Sequence, residues 1–440
     1  MMKRCIRVIA VNVLSLLAFA LLAHAEPAAK RIAPNLFVKV ATDRADAMYH
    51  VGEKATFNVE LKPCEQTAQV KEVTCALSND GVGDLGKGKL ALENGKASVT
   101  GSLDKPGILR CTVIPVGDTK VLGIGMAGAA FDPFKIQPTA VMPADFDEFW
   151  SAQKTELKKI PMDPKLEPVK QSNDKIEVFK ITLANINGSR VHGYLGKPKG
   201  RGRCPAILSV PGAGVRSASQ GYAATMAGQG FLAMDISVHD IEDGQPDDYY
   251  KKMSEGPLKD YRTQGREDRM TFYYRRVILG IVRAVDYLTS RPEWDKKHMI
   301  INGSSQGGAL TLIGAGVDPR ITSLAANVPA MCDHSGRNFD RPSGWPQLVP
   351  MGPDKKLDPK VLSVSAYYDA VNFARKFKGP AIMGIGLIDT TCPSTTNFAA
   401  YNVLPEPKQV DIAPLMGHSG SKSYGELKER WILEQAGIKK

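Results

Sequence analysis

The 440-residue sequence predicts an α/β fold, in which a mostly parallel sheet carries helices on both faces, preceded by a small all-β domain. From residue 143 onward, short apolar runs alternate with helical patterns, which is typical of βα units in a parallel sheet. Residues 36–135 instead contain short alternating runs and no helical period. A Gly-x-Ser-x-Gly turn at Gly303–Gly307 follows an apolar run and precedes a predicted helix, and it marks the sheet edge where a site would lie.

The all-β domain, placed at residues 26–137, is expected to be an immunoglobulin-like sandwich, because its strand-like runs are short and closely spaced. Asn94-Gly95 lies between two runs and predicts a hairpin turn. Two roles stay open for this domain. It is either a structural or oligomerising addition, which the scarcity of aromatic side chains favours, or a sugar-binding module. The runs lie at 36–40, 56–61, 70–77, 96–100 and 108–114, with an exit strand at 127–134.

The second domain is placed at residues 138–440. Asp145 is the expected N-cap of a helix that carries Phe146, Phe149 and Trp150. Asn187-Gly188 predicts a second hairpin. Residues 239–266 are polar and unpatterned, and they predict a loop or cap over the site. The remaining predicted strands and helices lie at 205–210, 217–229, 231–237, 267–289, 298–302, 306–316, 321–328, 380–387, 393–402, 408–413 and 424–435.

The first 25 residues predict a secretory signal peptide with cleavage after Ala25, which would make the mature chain periplasmic or secreted. A basic start precedes an apolar stretch at 8–22, and small residues surround the expected cleavage position. A retained membrane anchor is the less favoured alternative, because that stretch is short for a bilayer. No cysteine follows Ala25, so a lipid anchor is not supported. Beyond the signal, no other stretch of the sequence predicts a membrane anchor.

Charge and cysteine usage narrow the classes of partner. The net charge of +11 is spread along the chain without an aromatic-rich basic patch, which argues against nucleic acid as a partner. Export would permit the disulfides Cys75–Cys111, between two sheets, and Cys332–Cys392, between two loops near the site. Free buried thiols are the alternative for all four cysteines. The sequence lacks Cys-x-x-Cys and His-rich spacing, so no metal is expected.

The segment from Gly303 to Gly307 has the pattern of a nucleophile elbow, in which a strand turns sharply into a helix. Such a turn would push Ser305 out at the top of the sheet, in strained backbone geometry and beside the positive end of a helix. Side chains in place of the two glycines would clash with the neighbouring strand and helix. The five-residue pattern is common by chance, and the flanking strand and helix make it specific.

A serine hydroxyl needs an adjacent base, and the base needs an orienting acid. His418 lies in a small-residue loop between the last predicted strand and helix, and it satisfies the chain order serine, acid, histidine. His334 precedes every good acid candidate and fits that order badly. Asp389 follows an apolar strand and is the expected acid, although a simple turn cap is the alternative interpretation of this position. Asp411, inside a strand pattern, is the weaker rival.

Ester hydrolysis also needs N–H donors aimed at the developing oxyanion. One expected donor is the backbone N–H of Gln306, directly after the nucleophile. The other is the backbone N–H of Ala213, in the glycine-rich loop Val210–Gly214 after the first central strand. An ordinary Gly-Pro turn is the alternative for that loop.

With these residues in place, the sequence resembles the acetyl xylan esterase and cephalosporin C deacetylase family of carbohydrate esterases, over residues 143–440. This resemblance implies the α/β-hydrolase fold, with Ser305, Asp389 and His418 as the catalytic triad. It implies that the N–H groups of Gln306 and Ala213 form the oxyanion hole, and that neither a cofactor nor a metal is needed. The matching stretches are Pro143–Trp150, Gly303–Gly308, and Gly386–Asp389 running into Phe398–Asn402.

Two positions depart from the family pattern. Ile236–Asp240 stands where the family has Arg-Gly-Gln, and Ser419 follows His418 where the family has His-Glu. Both changes concern the pocket more than the reaction. Shorter family members form multimers whose active sites face an inner cavity, so a homo-oligomer stays open for this longer chain.

We therefore expect a secreted serine esterase that removes acetyl or other small acyl groups from carbohydrate hydroxyls through an acyl-enzyme. Acetylated xylan and xylo-oligosaccharides are the substrates that the resemblance implies. A serine peptidase or a dienelactone-type hydrolase on the same fold is the alternative within hydrolases. A non-catalytic carbohydrate-binding protein is the alternative outside them.

Overall fold

The computed structural model describes residues 37–438, apart from residues 66, 117–122, 171 and 201. The predicted signal segment, residues 1–25, lies outside the described residues. All described residues belong to one compact unit of the chain. None of the helices found within them has the length and apolar character needed to cross a bilayer.

The N-terminal region consists of two sheets, as its short alternating runs predict. In the described residues one sheet has three strands, in the order β1-β3-β6, and the other has five, in the order β2-β8-β7-β4-β5. Alternate residues of β3 are buried, so that this strand gives one face to the core between the sheets. The strands are β1 (Val38–Thr42), β2 (Met48–Tyr49), β3 (Ala55–Leu61), β4 (Glu72–Asn79), β5 (Val82–Ala91), β6 (Lys96–Gly101), β7 (Gly107–Pro115) and β8 (Gly125–Phe131).

One sequence prediction in this region is confirmed locally and another needs correction. Asn94 and Gly95, with φ of 53° and 75°, form the predicted hairpin turn, which an antiparallel bridge between Glu93 and Lys96 closes, although the strands beyond it, β5 and β6, belong to different sheets. Cys75 and Cys111 were expected to bridge two sheets, and they lie on neighbouring strands of the same sheet with their Sγ atoms 3.4 Å apart. Both are free thiols, as are Cys332 and Cys392.

The larger sheet has the predicted parallel core. Within the described chain it contains nine strands in the order β17-β16-β15-β14-β12-β13-β11-β10-β9. The six strands from β17 to β13 in that order run parallel, and β11, β10 and β9 pair antiparallel at one edge. The strands are β9 (Lys165–Pro168), β10 (Ile176–Ala184), β11 (Arg190–Pro198), β12 (Cys204–Val210), β13 (Leu232–Ile236), β14 (Trp294–Ser304), β15 (Ser323–Asn327), β16 (Ala381–Gly386) and β17 (Lys408–Ala413).

Helices connect these strands close to the predicted positions. Asn187 and Gly188, with φ of 54° and 72°, form the predicted turn between β10 and β11. Residues 239–266, predicted as a loop or cap, contain a helix and a short 3-10 turn at Tyr261–Thr263. The helices are α1 (Phe146–Lys158), α2 (Gln220–Gly228), α3 (Asp247–Glu255), α4 (Tyr273–Ser290), α5 (Gln306–Val317), α6 (Pro359–Ser365), α7 (Ala370–Ala374), α8 (Ser394–Val403) and α9 (Lys422–Gln435).

Helix α1 begins where the sequence predicts, but its cap differs. Asp145 occupies the N-cap position and makes no side-chain cap hydrogen bond. Its carboxylate instead accepts a hydrogen bond from Tyr367 and pairs with Arg269 at 2.7 Å. The distant partners therefore outcompete the local backbone for this carboxylate, which sequence alone does not indicate.

The hydrophobic core continues from one region into the other. Ala47, Ile108 and Ala130 of the N-terminal sheets are buried in the same apolar cluster as Phe398 of α8 and Leu387 after β16. A separate cluster fills the space between the two N-terminal sheets, with Phe57 and Phe131 fully buried there. The N-terminal region thus has its own core and also shares the core of the larger sheet.

Candidate active site

The predicted nucleophile lies on a strained turn at the end of β14. Ser305 has φ 61° and ψ −123°, outside the regions that side-chain-bearing residues normally occupy, and directly precedes α5. Its backbone N–H donates to the carbonyl oxygen of Asn327 on the adjacent strand at 2.9 Å. This hydrogen bond to the adjacent strand helps to stabilise the strained backbone conformation of Ser305. The hydroxyl lies at the positive end of a helix.

The glycines of the turn are required by close backbone contacts. A Cβ at Gly303 would lie 2.5 Å from the carbonyl oxygen of Gly307, and one at Gly307 would lie 2.3 Å from that of Val210. A Cβ at Gly308 would lie 2.6 Å from the carbonyl oxygen of Asn327. These distances are shorter than any normal carbon–oxygen contact, so the strand and helix could approach this closely only with glycine.

The structure brings Ser305, His418 and Asp389 into one hydrogen-bonded chain. Nε2 of His418 is 2.8 Å from Oγ of Ser305, and Nδ1 is 2.8 Å from Oδ2 of Asp389. Asp389 follows β16 and His418 follows β17, so both loops project from the carboxyl edge of the parallel sheet. The Asp389 side chain is fully buried, whereas 26% of the His418 side chain is exposed. The predicted base is thus open to solvent and the predicted acid is shielded from it.

The orientation of Asp389 is fixed by backbone donors. Its Oδ1 accepts hydrogen bonds from the N–H groups of Thr391 at 2.8 Å and Cys392 at 2.9 Å. The remaining oxygen, Oδ2, is left to bond His418. The alternative interpretation of Asp389 as a turn cap is therefore also correct locally, because one carboxylate oxygen serves the turn and the other the imidazole.

Asp411 and His334, the alternative candidates for the acid and the base, have different surroundings. The carboxylate of Asp411 accepts hydrogen bonds from Ser421 at 2.6 Å and Ser423 at 3.2 Å. His334 is almost fully buried, and neither of its ring nitrogens has a hydrogen-bond partner among the described residues. Burial lowers the pKa of His334 to about 4, so its ring is neutral near pH 7.

The loop predicted to carry the second oxyanion donor lies beside the nucleophile. A Cβ at Gly212 would lie 3.9 Å from Cβ of Ser305. Arg216 donates to the carbonyl oxygens of Ala213 at 2.7 Å and Gly212 at 3.1 Å. With both carbonyl groups held by Arg216, the peptide planes of this loop are fixed.

His239 and Tyr261 hold the next residue of the same loop. Nε2 of His239 bonds the carbonyl oxygen of Gly214 at 3.0 Å, and Nδ1 bonds the Tyr273 hydroxyl at 2.6 Å. Since a carbonyl oxygen only accepts, Nε2 carries the proton. The N–H of Gly214 donates to the Tyr261 hydroxyl at 3.3 Å. Burial lowers the pKa of His239 to about 4, which keeps this tautomer neutral.

Tyr261 also contacts the residue that follows the nucleophile. The buried Oε1 of Gln306 accepts hydrogen bonds from the hydroxyls of Tyr261 at 2.8 Å and Tyr274 at 2.7 Å. One tyrosine hydroxyl therefore links the side chain of Gln306 to the backbone of Gly214, the residue after Ala213. The sequence singled out His239 only as a departure from a family pattern, and nothing in it pointed to Tyr261, because both contacts form across long sequence separations.

A cavity of about 510 Å³ lies beside the elbow, between the Gly212 loop and the loop that follows His418. Most of its side chains carry hydroxyl, amide or charged groups, which are suited to binding a polar ligand. Those side chains belong to Ser209, Arg216, Ser217, Ser219, Tyr222, Asp235, Asn302, Ser304, Asn327, Ser421, Tyr424 and Lys428.

In the described part of the chain, one group of side chains has the composition of a metal site. Asp389, Cys392 and His418 have potential ligand atoms within 4.8 Å of one another. The carboxylate and the imidazole already bond each other, and Nε2 faces Ser305. Burial raises the pKa of the Cys392 thiol well above its ordinary value, so it does not supply a thiolate. The arrangement fits a proton relay better than a metal centre.

Known proteins match this chain over most of its length. Residues 134–435 match the family model described as acetyl xylan esterase (AXE1). The chain belongs to the acetyl xylan esterase family. It is 32% identical, over 399 residues, to the acetyl esterase Axe7A of Xylanibacter ruminicola, and the match covers 89% of each chain. The chain is accordingly a carboxylic ester hydrolase of the class that deacetylates carbohydrates, as its sequence predicts.

Solved structures confirm the α/β-hydrolase fold. The acetyl xylan esterase from Paenibacillus sp. R4 has a TM-score of 0.58 and 28% identity, and the match covers 69% of this chain and 98% of that one. Acetyl xylan esterase 1 from Thermoanaerobacterium sp. JW/SL YS485 also has a TM-score of 0.58, with 22% identity, and covers 69% of this chain and 97% of its own. The family match begins at residue 134, after the last strand of the N-terminal sheets.

Proposed function

We propose that Ser305, His418 and Asp389 are the catalytic triad with which this esterase removes acetyl groups from carbohydrate hydroxyls, such as those of acetylated xylan or xylo-oligosaccharides. The observation that carries the assignment is the pair of 2.8 Å hydrogen bonds joining the hydroxyl, the imidazole and the carboxylate in sequence. This geometry places the nucleophile and the base within direct proton-transfer distance and bonds the orienting carboxylate to the other nitrogen of the base.

In the acylation step, Oγ of Ser305 attacks the acetyl carbonyl carbon while Nε2 of His418 takes the hydroxyl proton. Asp389 holds the imidazole tautomer and stabilises the imidazolium. The backbone N–H groups of Gln306 and Ala213 stabilise the negative oxygen of the tetrahedral intermediate. His418 then gives its proton to the departing sugar oxygen, which leaves an acetyl-serine.

Deacylation repeats the sequence with water. His418 removes a proton from water as the water oxygen attacks the carbonyl carbon of the acetyl-serine, and when the tetrahedral intermediate collapses His418 gives that proton to Oγ of Ser305. Acetate leaves and the enzyme is restored. The exposed part of the His418 ring gives water access to the base from solvent.

Replacement of the nucleophile tests the assignment. Ser305→Ala should lower kcat on 4-nitrophenyl acetate by roughly 10³-fold or more, because the acyl-enzyme can no longer form. The variant should keep the wild-type circular dichroism spectrum and lose covalent labelling by a fluorophosphonate. Ser304→Ala, one residue earlier on the same turn, is the matched control and should still be labelled. A folded Ser305→Ala variant with near-normal turnover would refute the triad.

The products that the protein releases distinguish the esterase from the alternative functions. Acetate release from acetylated xylo-oligosaccharides, without cleavage of an aminoacyl-proline amide, is expected for the deacetylase. Amide cleavage without acetate release would favour a peptidase. Retention on the polysaccharide with no fluorophosphonate labelling would favour a non-catalytic binding protein. The cavity beside the elbow carries hydroxyl, amide and charged groups that can bond sugar hydroxyls, and its lining includes Ser304 but neither Ser305 nor His418.

We also propose that the chain is exported and that its N-terminal region is immunoglobulin-like. Export is supported by the basic and apolar pattern of residues 1–25. The immunoglobulin-like assignment is supported by two facing sheets of short strands with a shared core. The boundaries at residues 25 and 137, and assembly into a homo-oligomer, remain predictions. N-terminal sequencing of the mature protein would test the cleavage after Ala25.

A further inference from the structure

The loop that carries Asp389 is bonded from outside the family domain. Arg110, on β7 of the N-terminal sheets, donates through Nη2 to the backbone carbonyl oxygen of Asp389 at 2.7 Å. The two residues are 279 positions apart in the chain. Arg110 also lies before residue 134, where the family match begins. A residue of the N-terminal region thus contacts the backbone of the predicted catalytic acid directly.

A buried ion pair holds Arg110 in place. Its guanidinium pairs with Asp80, and the two side chains are 5% and 0% exposed. Asp80 lies in the turn after β4, at φ 51°, and the next residue, Gly81, is at φ 92°. A Cβ at Gly81 would lie 2.9 Å from Nη1 of Arg110, so the turn closes directly against the guanidinium. The absence of a side chain at Gly81 therefore leaves room for the guanidinium of Arg110.

The same ion pair also contacts a second point on the loop that carries Asp389, which we call the acid loop. The other carboxylate oxygen of Asp80 accepts a hydrogen bond from the N–H of Thr395, in the first turn of α8, at 2.8 Å. Nearby, a Cβ at Gly128 of β8 would lie 2.5 Å from the carbonyl oxygen of Leu387. The N-terminal sheets thus contact the backbone just before Asp389, at Asp389, and six residues after it.

From these contacts we infer that Arg110 and Asp80 are positioning residues for Asp389, and that the N-terminal region helps to build the active site. The inference rests on the proposed role of Asp389. Arg110 fixes the carbonyl group of Asp389, and Asp80 fixes the start of α8. The segment between them supplies the N–H groups of Thr391 and Cys392 that orient the carboxylate toward His418. Loosening either anchor lets the carboxylate turn away from the imidazole.

The test uses the full-length chain and the double variant Asp80→Asn/Arg110→Met. This change removes both buried charges together, so that neither is left unpaired, and the introduced amide would still offer an oxygen to the N–H of Thr395. The hydrogen bond to Asp389 is lost. We expect kcat on 4-nitrophenyl acetate to fall about 10- to 100-fold with KM unchanged, when rates are normalised to fluorophosphonate-titrated sites. Unchanged kcat in the folded double variant would overturn the inference.

Two further variants separate positioning from general stability. Asn79→Ala, next to Asp80, removes a 2.9 Å hydrogen bond to the carbonyl oxygen of Asp340 and leaves the acid loop untouched. Its kcat should stay within about twofold of wild type. Arg110→Lys keeps the buried positive charge and loses the forked guanidinium. It should recover part of the kcat that the double variant loses, at a wild-type unfolding temperature.

If the double variant does not fold, Arg110→Lys is the variant that tests the inference. A lower kcat at unchanged KM and unfolding temperature supports positioning, and a wild-type kcat overturns it. Asp389→Asn separates this inference from the proposed function. If Asp389→Asn is inactive while every Arg110 variant is fully active, only the positioning inference fails. If Asp389→Asn is fully active, the triad assignment itself fails.

Discussion

His418, His239 and His334 differ in burial, and burial limits what each of these three side chains can do. His418 is partly exposed, and its two ring nitrogens face a carboxylate and a hydroxyl, so it can exchange protons with both substrate and solvent. His239 and His334 are almost fully buried, and burial lowers the pKa of each to about 4. His239 is therefore a fixed neutral donor to the carbonyl oxygen of Gly214, while His334 packs as an apolar ring would.

The buried ring of His334 makes stability depend on pH. Its pKa is about 4 in the folded protein, against the ordinary value of 6.5 in the unfolded chain. As the pH falls from 6.5 to 4, the unfolded chain binds a proton that the folded protein does not, so stability is lost over that window. Relative to His334→Met, the wild type should lose about 2 kcal/mol more between pH 7 and pH 4.5.

Urea unfolding at the two pH values measures this difference. Parallel pH profiles for wild type and His334→Met would contradict the prediction. Buried carboxylates such as Asp235 and Asp369, whose pKa burial raises to about 6, act in both proteins and cancel in the comparison.

At the scale of the elements, the elbow is a contact between three pieces of backbone. Strand β14, helix α5 and the end of β12 approach so closely that there is no room for a methyl group at Gly303 or Gly307. The tight packing holds Ser305 at φ 61° and places the N–H of Gln306 at the helix start. The site therefore depends on the fit between elements as well as on the identity of its side chains.

A methyl group at Gly307 tests this fit. Gly307→Ala should destabilise the protein by about 2–4 kcal/mol, because the new Cβ would lie 2.3 Å from the carbonyl oxygen of Val210. Gly425→Ala, in α9, is the control, since a Cβ there meets nothing within 4 Å. It should stabilise the protein by about 0.5–1 kcal/mol through helix propensity. Chemical unfolding measures both, and equal effects would rule out the steric explanation.

At the scale of the whole molecule, the two regions are joined by polar and apolar contacts. The Arg110–Asp80 pair bonds the loop that carries Asp389 through the carbonyl oxygen of that residue. Asp333 holds the segment that follows the N-terminal sheets, because its buried carboxylate accepts hydrogen bonds from the N–H groups of Thr139 at 2.6 Å and Ala140 at 2.8 Å and pairs with Arg341 at 2.7 Å. The connection after the N-terminal sheets is thus held against the larger sheet, instead of hanging as a free linker.

This joining predicts a single unfolding transition. Because Ala47, Ile108 and Ala130 share a core with the larger sheet, neither region can unfold without exposing apolar surface of the other. Differential scanning calorimetry of the mature protein should show one transition, with calorimetric and van't Hoff enthalpies in agreement. Two resolved transitions would mean that the regions unfold independently.

How much the sequence could predict depended on the range of the interactions. The parallel sheet, the turns at Asn94 and Asn187, and the elbow are specified by local patterns that turn and strand chemistry impose. The chain order of Ser305, Asp389 and His418 could also be predicted, since the fold places such residues after successive strands. These features need only neighbouring residues or a known topology.

Tertiary structure alone decided which distant groups meet. It assigned Asp145 to Tyr367 instead of its own helix, placed Cys75 and Cys111 in one sheet, and put the turn at Asn94 between two sheets. It also put Arg110 against the backbone of Asp389. The residues around a polar side chain in the sequence do not identify its hydrogen-bond partner. The partner depends on burial and on the geometry of chain segments that meet only after folding.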